Sequence, residues 1–160
     1  MATTDCYLKI DKIDGECKHK GAEGQIEVQS FNWDVTNRGD ATTGGGSGHG
    51  KASPGVFQFV HKYDKSAPTL KKSCVGGNHH DTATLTVCKA GDGALEFLTV
   101  KMKQVTVTKV ALVCAPGGHP EQTVDLMYGD IEFEYKPQDD KGKLGGAVKM
   151  GWDVRSTEVR

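Results

Sequence analysis

The chain has 160 residues, with 20 Lys and Arg against 21 Asp and Glu, so its formal net charge is −1. This balance gives no electrostatic attraction for nucleic acid or for an anionic membrane. No apolar run approaches the roughly 20 residues of a membrane-spanning helix, so we expect no membrane insertion. The 21 glycines far exceed the usual share of about 7% and indicate a turn-rich globular chain. At this length we expect one domain over residues 1–160.

The N-terminus and the cysteines favour synthesis and folding in a reducing cytoplasm. The first seven residues lack the basic and apolar regions of a secretory signal. The cysteines are odd in number, widely spaced and without a C-x-x-C pair, which argues against a disulfide framework and against a zinc knuckle. We expect mostly free thiols, with a single disulfide left open. The five residues are Cys6, Cys17, Cys74, Cys88 and Cys114.

Alternation of apolar and polar residues dominates the chain and predicts a mainly β fold. In the first strand, Cys6, Leu8 and Ile10 face one way while Tyr7 and Lys9 face the other. Residues 82–89 alternate threonine with aliphatic residues, and threonine favours strands. Two closing strands are predicted at residues 131–137 and 148–154, joined by a charged, glycine-rich turn.

Three strand regions shift their apolar residues by one position, between residues 28 and 31, 102 and 105, and 128 and 131. A one-residue shift moves every later side chain to the opposite face unless a bulge or bend absorbs it. Strands that bend in this way are typical of closed barrels and of orthogonally packed sheets. We therefore expect a closed or partly orthogonal β-barrel of two packed sheets.

One segment predicts a short helix at about residues 66–75, on the wall of the barrel between strands 56–63 and 82–89. Ser66 is a candidate cap, Pro68 lies in the first turn and Gly76 is a candidate stop. Leu70 and Cys74 are four residues apart, so they should share the buried face.

A long glycine-rich loop is predicted at about residues 37–55, and loops of this length are usually functional or disordered. Gly45-x4-Gly50-Lys51 matches the first part of a phosphate-binding loop, but Ala52 replaces the hydroxyl residue that holds magnesium. The loop also leads into a strand, so no helix N-terminus faces the phosphates. We interpret it as an interaction loop and expect no cofactor.

The polar clusters do not suggest catalysis or a metal site. His79, His80 and Asp81 are predicted to form a polar connector from helix to strand, since adjacent histidines on a strand face opposite ways. Glu132 and Glu134 share one strand face, which is typical of a solvated side. There is no G-x-S-x-G motif. We therefore assign no catalytic and no metal-binding residue.

Two further residues follow from strand alternation. His61 alternates with aromatic residues, which predicts a half-buried histidine with a satisfied hydrogen bond. Asn32 lies between Phe31 and Trp33, whose large rings are expected in the core, so its side chain should project from the other surface. If one wall of the barrel lines a channel, Asn32 is a candidate lumen residue; otherwise it is an ordinary exposed asparagine.

Several fragments, in order along the whole chain, resemble the haemolysin co-regulated protein (Hcp) family of type VI secretion systems. They are YLKID at residues 7–11, the glycine-rich loop ending in Gly50-Lys51, the short helix, ATLTV at 83–87, IEFEYKP at 131–137 and GWDV at 151–154. Each fragment is weak alone, and together they are specific. Phe31 departs from the family pattern, where a tryptophan is common.

This resemblance implies a homo-hexameric ring of β-barrel subunits, stacked head to tail into a tube that works with sheath and spike proteins. It also implies effector proteins carried in the lumen, no enzymatic activity in the core domain, and export from the cytoplasm without a signal peptide. The long loop is then the candidate for ring stacking. Its proposed contact residues are Thr43, Gly44, Gly45, Gly46, Ser47, Gly48, His49, Gly50 and Lys51.

Two other interpretations remain open at this point. The chain is alternatively a monomeric β-barrel that binds a ligand or glycan, with its aromatic residues near a shallow site instead of in the core. A small enzyme is the third interpretation, although no convergent polar triad supports it. Ring formation separates the tube protein from both.

Overall fold

The computed structural model describes residues 4–37, 39, 52–89 and 95–160. This part of the chain forms twelve strands and one helix. The strands are β1 (Thr4–Ile10), β2 (Ile26–Val28), β3 (Ser30–Asn32), β4 (Val35–Asn37), β5 (Ala52–Pro54), β6 (Phe57–Lys62), β7 (His79–Lys89), β8 (Glu96–Val113), β9 (Glu121–Met127), β10 (Asp130–Tyr135), β11 (Val148–Asp153) and β12 (Glu158–Val159), and the helix is α1 (Ser66–Gly76).

The 18-residue strand β8 organises the main sheet, in which all pairs are antiparallel. Its first half pairs with β7 and β10, and its second half pairs with β9. The sheet continues from β7 through β1 to β2, and from β9 through β6 to β3. Only Gln29 separates β2 from β3, and its N–H donates to the Val60 carbonyl at 2.8 Å. The two branches therefore enclose the core as an incomplete barrel.

The predicted fold class is confirmed in its partly orthogonal form. The main sheet keeps free ends at β12 and β2, so the barrel is not closed. The shorter strands β4 and β5 form a separate two-stranded ribbon, in which Val35 lies opposite Pro54 and Asn37 opposite Ala52. Helix α1 packs on β8, as the prediction of one helix on the wall requires.

All three predicted shifts coincide with bends in the sheet. The first falls at Gln29, between β2 and β3. The second falls at Gln104, whose φ of 54° is a left-handed conformation within β8. The third falls at Gly129, between β9 and β10, where a Cβ atom would lie 2.7 Å from Gln104 Oε1. Gly129 and Gln104 therefore form one corner.

The core lies between the two branches and follows the predicted alternation. Its largest fully buried side chains include Phe57, Phe59, Leu8, Ile10, Ile26, Leu70, Leu85, Met102, Leu126 and Ile131. Tyr7 was expected on the solvent side of β1. It is instead 6% exposed, in a second small cluster with Cys17, Ala22 and Cys88, because the segment after β1 covers that face. Each of the five cysteines is free.

The helix is confirmed within one residue, but its predicted N-terminal cap is wrong. Lys65 occupies the N-cap position, and Ser66 is a buried helical residue. The Asp64 carboxylate accepts hydrogen bonds from the Ser66 backbone N–H at 2.9 Å and from the Ser66 hydroxyl. The helix ends at the predicted Gly76, and the C-cap that follows it is Gly77, whose left-handed conformation with φ 65° is one that glycine tolerates best.

Two strand boundaries also differ from the predictions. Strand β7 begins at His79, so the predicted polar connector is part of the strand. Part of the predicted loop at 37–55 is strand β5. Its partners in β4 lie 15 to 19 residues earlier, and its own three residues show no apolar alternation that would predict a strand. The candidate stacking residues 43–51 lie outside the described residues.

Candidate functional site

A polar row crosses the outer face of β3, β6 and β9. The Asn32 amide donates to Gln58 Oε1 at 3.1 Å, and the Gln58 amide donates to Asp125 Oδ1 at 2.8 Å. The three residues are direct cross-strand neighbours, and Lys109 of β8 lies opposite Asp125. We call Asn32, Gln58 and Asp125 the polar row. Amides and a carboxylate held in this order can both donate to and accept from a polypeptide on this face.

The position of Asn32 is confirmed on one point: it is exposed on the face opposite the aromatic residues beside it. Phe31 stacks on Phe57 with ring centroids 5.7 Å apart, and Trp33 lies 4.8 Å from Phe133. Sequence reasoning missed Gln58 and Asp125. Alternation alone placed Gln58 on an outer face, but only the register of β6 against β3 and β9 shows that it joins Asn32.

A second surface is apolar and lies where β10 and β11 extend past the core. Along β10 the exposure rises from Ile131, which is fully buried, through Phe133 to Tyr135, which is 48% exposed. Tyr135 has Leu98 of β8 on one side and Val148 of β11 on the other. The face that forms the core therefore continues beyond it without cover.

We call this surface the apolar overhang. It comprises Tyr135 at 48% exposed, Val148 at 65%, Met150 at 38% and Val159 at 71%. Val148, Met150 and the buried Trp152 alternate along β11 and share one face. Tyr135 lies opposite Val148 and Val159 lies opposite Trp152, so both belong to the same face. Contiguous exposed apolar residues of this kind mark interaction surfaces.

The reverse face of the same strands carries paired charges. Arg160 binds the Asp130 carboxylate through two hydrogen bonds of 2.7 and 2.8 Å, and it lies 3.6 Å from Glu132. Glu134 lies 3.7 Å from Lys149. The exposed pair of Glu134 and Lys149 contributes little to stability. In the structure, Glu132 and Glu134 are ion-pair partners of Arg160 and Lys149.

The two adjacent histidines point to opposite faces of β7 and do not converge. The ring of His79 is exposed and lies 3.0 Å from the Thr106 hydroxyl. His80 is buried, with Nδ1 2.8 Å from the Asp11 carbonyl and Nε2 2.7 Å from the Ser73 hydroxyl. Because a carbonyl only accepts, Nδ1 carries the proton and Nε2 accepts from Ser73. His80 therefore holds helix α1 against β7.

His61 is fully buried, not half-buried as predicted. Its Nε2 lies 3.1 Å from the Gln122 side-chain amide, and its Nδ1 lies 3.7 Å from the Asp64 carboxylate. Burial lowers the pKa of His61 because the charged imidazolium is poorly solvated there, although Asp64 acts in the opposite direction. The ring is thus a packing element between β6, β9 and the start of α1.

Within the described ranges, no three His, Cys, Asp or Glu side chains are grouped so that they would hold a metal ion. Among the same residues, no helix has both the length and the apolar character needed to span a membrane.

Comparisons with known proteins converge on one family. The family described as "Type VI secretion system effector, Hcp" matches residues 7–135. Protein hcp1 of Pseudomonas aeruginosa is 36% identical over 155 residues, which is 94% of this chain and 95% of that protein. A solved structure described as "Structure of a type six secretion system protein" superposes with a TM-score of 0.92 at 30% identity, covering 98% of this chain and 99% of that one. Hcp1 from Salmonella typhimurium gives a TM-score of 0.80 at 28% identity, with 99% of each chain covered.

The burial of His61 predicts a pH-dependent stability. Since the pKa is lower in the folded than in the unfolded state, whose value is near 6.5, the contribution is complete above pH 6.5 and declines as the pH falls below it. The slope is at most about 1.4 kcal/mol per pH unit for one proton. Urea unfolding between pH 7.5 and 5 should therefore show a smaller loss of stability in His61→Asn than in the wild type.

The exposed His119 supplies the control for this experiment. His119→Asn should keep the wild-type slope. Equal slopes for His61→Asn and the wild type would contradict the role given to His61.

Proposed function

Because this chain belongs to the Hcp family of type VI secretion proteins, we propose that it is the building block of the inner tube of such a system. Six copies form a ring, rings stack head to tail, and the tube leaves the cell with effector proteins in its lumen. The partners are then further copies of the chain, the sheath and spike proteins of the apparatus, and the effectors. The chain acts as a structural carrier without an enzymatic reaction of its own.

The observation that best supports ring formation is the apolar overhang. The neighbouring subunit supplies the surface that covers Tyr135, Val148, Met150 and Val159, so apolar area leaves water in the assembly. Burial of apolar surface is worth about 25 cal/mol per Å². In a ring of six copies the contact is heterologous: the overhang of one subunit meets a different surface of its neighbour, and the ring closes when six rotations complete a turn.

The polar row supports a lumen role for Asn32. A channel that holds folded cargo and releases it needs a polar wall with weak, exchangeable hydrogen bonds. Asn32 and Gln58 carry no charge and lie flat on the outer sheet face, where their orientation is set by each other and by Asp125. Such a surface holds a cargo protein by several modest contacts, each worth about 0.5–1.5 kcal/mol.

Ring stacking is assigned to residues 43–51, at the end of the ribbon formed by β4 and β5. Fixing a backbone residue costs about 1–2 kcal/mol, so ordering a glycine-rich segment on stacking offsets much of the contact energy. Stacking is then weak in solution and readily reversed, while the ring is stable. The proposed route is assembly in the cytoplasm followed by export of the tube without a signal peptide.

The alternative of a monomeric glycan- or ligand-binding barrel receives no support from the aromatic residues. It requires them beside a shallow site. Trp152 is only 5% exposed, and Phe31 and Trp33 pack against the core.

Introducing a charge into the overhang should dissociate the ring. For Val148→Asp we expect monomers by light scattering and no rings in negative stain, because a carboxylate would be buried without a partner. The fold should be retained, since Val148 is 65% exposed in the single chain. Val75→Asp, at a helix position that is 90% exposed, is the matched control and should remain hexameric. A hexameric Val148→Asp protein would exclude the overhang as the ring contact.

Deleting residues 43–51 should separate ring formation from stacking. The deletion protein should give hexamers of normal stability but no tubes and no secretion, because the segment that joins successive rings is missing. Sedimentation of tubes and immunoblotting of culture supernatants provide the measurements. Normal secretion of the deletion protein would refute the stacking assignment.

The lumen assignment of Asn32 is tested by its position in the ring. A gold cluster attached to Asn32→Cys, in a background where the exposed Cys114 is replaced by serine, should appear at the centre of rings viewed end-on in negative stain. Gold on the outer rim would contradict it. Cys114→Ser rings treated with the same gold reagent show the background labelling of the remaining thiols.

A further inference from the structure

The hydroxyl of Tyr128 joins three separate segments of the chain. It accepts a hydrogen bond from the Trp33 indole N–H and donates one to the Gly55 carbonyl at 2.7 Å. Trp33 precedes β4, Gly55 follows β5, and Tyr128 lies between β9 and β10. The chain entering β4 and the chain leaving β5 are therefore both attached, at the base of the ribbon, to the Tyr128 hydroxyl.

The base of the ribbon is closed by a second contact that requires glycine. The Gly55 N–H donates to the Asp34 carbonyl at 2.9 Å. A Cβ atom at position 55 would lie 2.4 Å from that carbonyl oxygen and 2.0 Å from Asp34 Oδ1, so any side chain there collides with the opposite strand. The two segments at the base are thus held in direct backbone contact, immediately beside the Tyr128 hydroxyl.

The strands of the ribbon are weakly held along their length. Val35, Thr36 and Asn37 of β4 are all exposed, β4 and β5 share only three paired positions, and in β5 a small side chain, Ala52, packs at the edge of the core. Isolated two-stranded ribbons are at best marginally stable in water. At the base, in contrast, Tyr128 is 4% exposed, and the Trp33 ring packs against the Phe133 ring of β10. The hydrogen-bonded attachment to the barrel therefore lies at the base of the ribbon.

We propose that Tyr128 is a positioning residue for ring stacking: with Trp33 it fixes the angle at which the β4–β5 ribbon leaves the barrel. This inference rests on the proposed function, in which the segment carried by the ribbon contacts the next ring. A ribbon held at a fixed angle presents that segment in one direction and reduces the ordering cost of stacking. Burial raises the pKa of Tyr128, so its hydroxyl stays neutral and keeps its proton to donate to Gly55.

The variant Tyr128→Phe removes the hydroxyl and keeps the ring that packs in the core. Tyr63→Phe is the matched control, since the Tyr63 hydroxyl accepts a hydrogen bond from Lys71 Nζ at 3.1 Å, away from the ribbon. Three quantities are measured for each protein: ring mass by light scattering, amide hydrogen exchange at residues 35–37, 52, 53 and 55, and the fraction of protein that sediments as tubes.

For Tyr128→Phe we expect intact rings, exchange in the ribbon faster by about tenfold, and loss of most of the sedimenting tubes, as expected from a lost buried hydrogen bond. Tyr63→Phe should match the wild type in all three. If the hydroxyl only stabilised the fold, Tyr128→Phe would have a lower melting temperature, and amide exchange in the ribbon would not rise relative to exchange in the barrel. Wild-type exchange rates in the ribbon of Tyr128→Phe would overturn the inference, whatever the tubes do.

The deletion of residues 43–51 separates the failure of this inference from that of the proposed function. If the deletion abolishes tubes but Tyr128→Phe stacks normally with a loosened ribbon, the stacking assignment stands and the positioning role is wrong. If both proteins stack normally, the stacking assignment itself is wrong, and the inference falls with it. If Tyr128→Phe does not form rings, Trp33→Phe is used instead. This variant removes the hydrogen bond from the Trp33 indole to Tyr128 and keeps an aromatic ring against Phe133. Unchanged amide exchange in the ribbon of Trp33→Phe would also overturn the proposal.

Discussion

The architecture depends on a single corner in the long strand β8. At Gln104 the backbone adopts a left-handed conformation, which costs a non-glycine residue of order 1–3 kcal/mol in regions of this kind. Gly129 packs directly against the Gln104 side chain, and its N–H donates to the Lys103 carbonyl at 2.9 Å. The chain leaving this corner as β10 pairs with the first half of β8, while the chain entering it as β9 pairs with the second half. Strand β8 therefore belongs to both branches of the sheet.

This corner determines which surfaces are available for assembly. Because β9 turns away from β10, the second branch of the sheet closes over the core and presents the polar row on its outside. The strands β10 and β11 continue in the original direction, so their core-facing side runs beyond the residues that would cover it. An apolar overhang and a polar row on one small domain suit a subunit that buries one surface against a neighbour and exposes the other to a channel. The ribbon anchored by Tyr128 adds a third surface.

The sequence predicted much of this fold because alternation records which face of a strand is buried. The three shifts near Gln29, Gln104 and Gly129 located two corners, since a slip of one position in the apolar pattern must be absorbed by the backbone. The short helix was also predicted, but its N-cap was not. Ser66 is the type of residue that caps helices, yet it is the first helical residue here, and Asp64 accepts hydrogen bonds from its backbone N–H and its hydroxyl. Strand β5 was missed because its three residues show no apolar alternation. It is a strand because it pairs with β4, and local sequence does not reveal that pairing.

The candidate surfaces were less accessible to sequence reasoning. Asn32 was placed on the correct face by its aromatic neighbours, whereas Gln58 and Asp125 join it only through strand register, which no local pattern specifies. Sequence reasoning did not reveal the overhang because Val148 and Met150 follow the same alternation as the buried Trp152. The exposed residues differ from Trp152 only in lying farther from the core. Likewise, the bond from Tyr128 to Gly55 links residues 73 positions apart.

The central claim is that the apolar overhang is buried between copies of this chain. The most direct test is the absolute mass of the purified wild-type protein under reducing conditions, by light scattering coupled to size exclusion, with negative-stain images of the same fractions. The account predicts six times the mass of the chain and hollow rings, maintained on dilution. A stable monomer that remains soluble with the overhang exposed would contradict it.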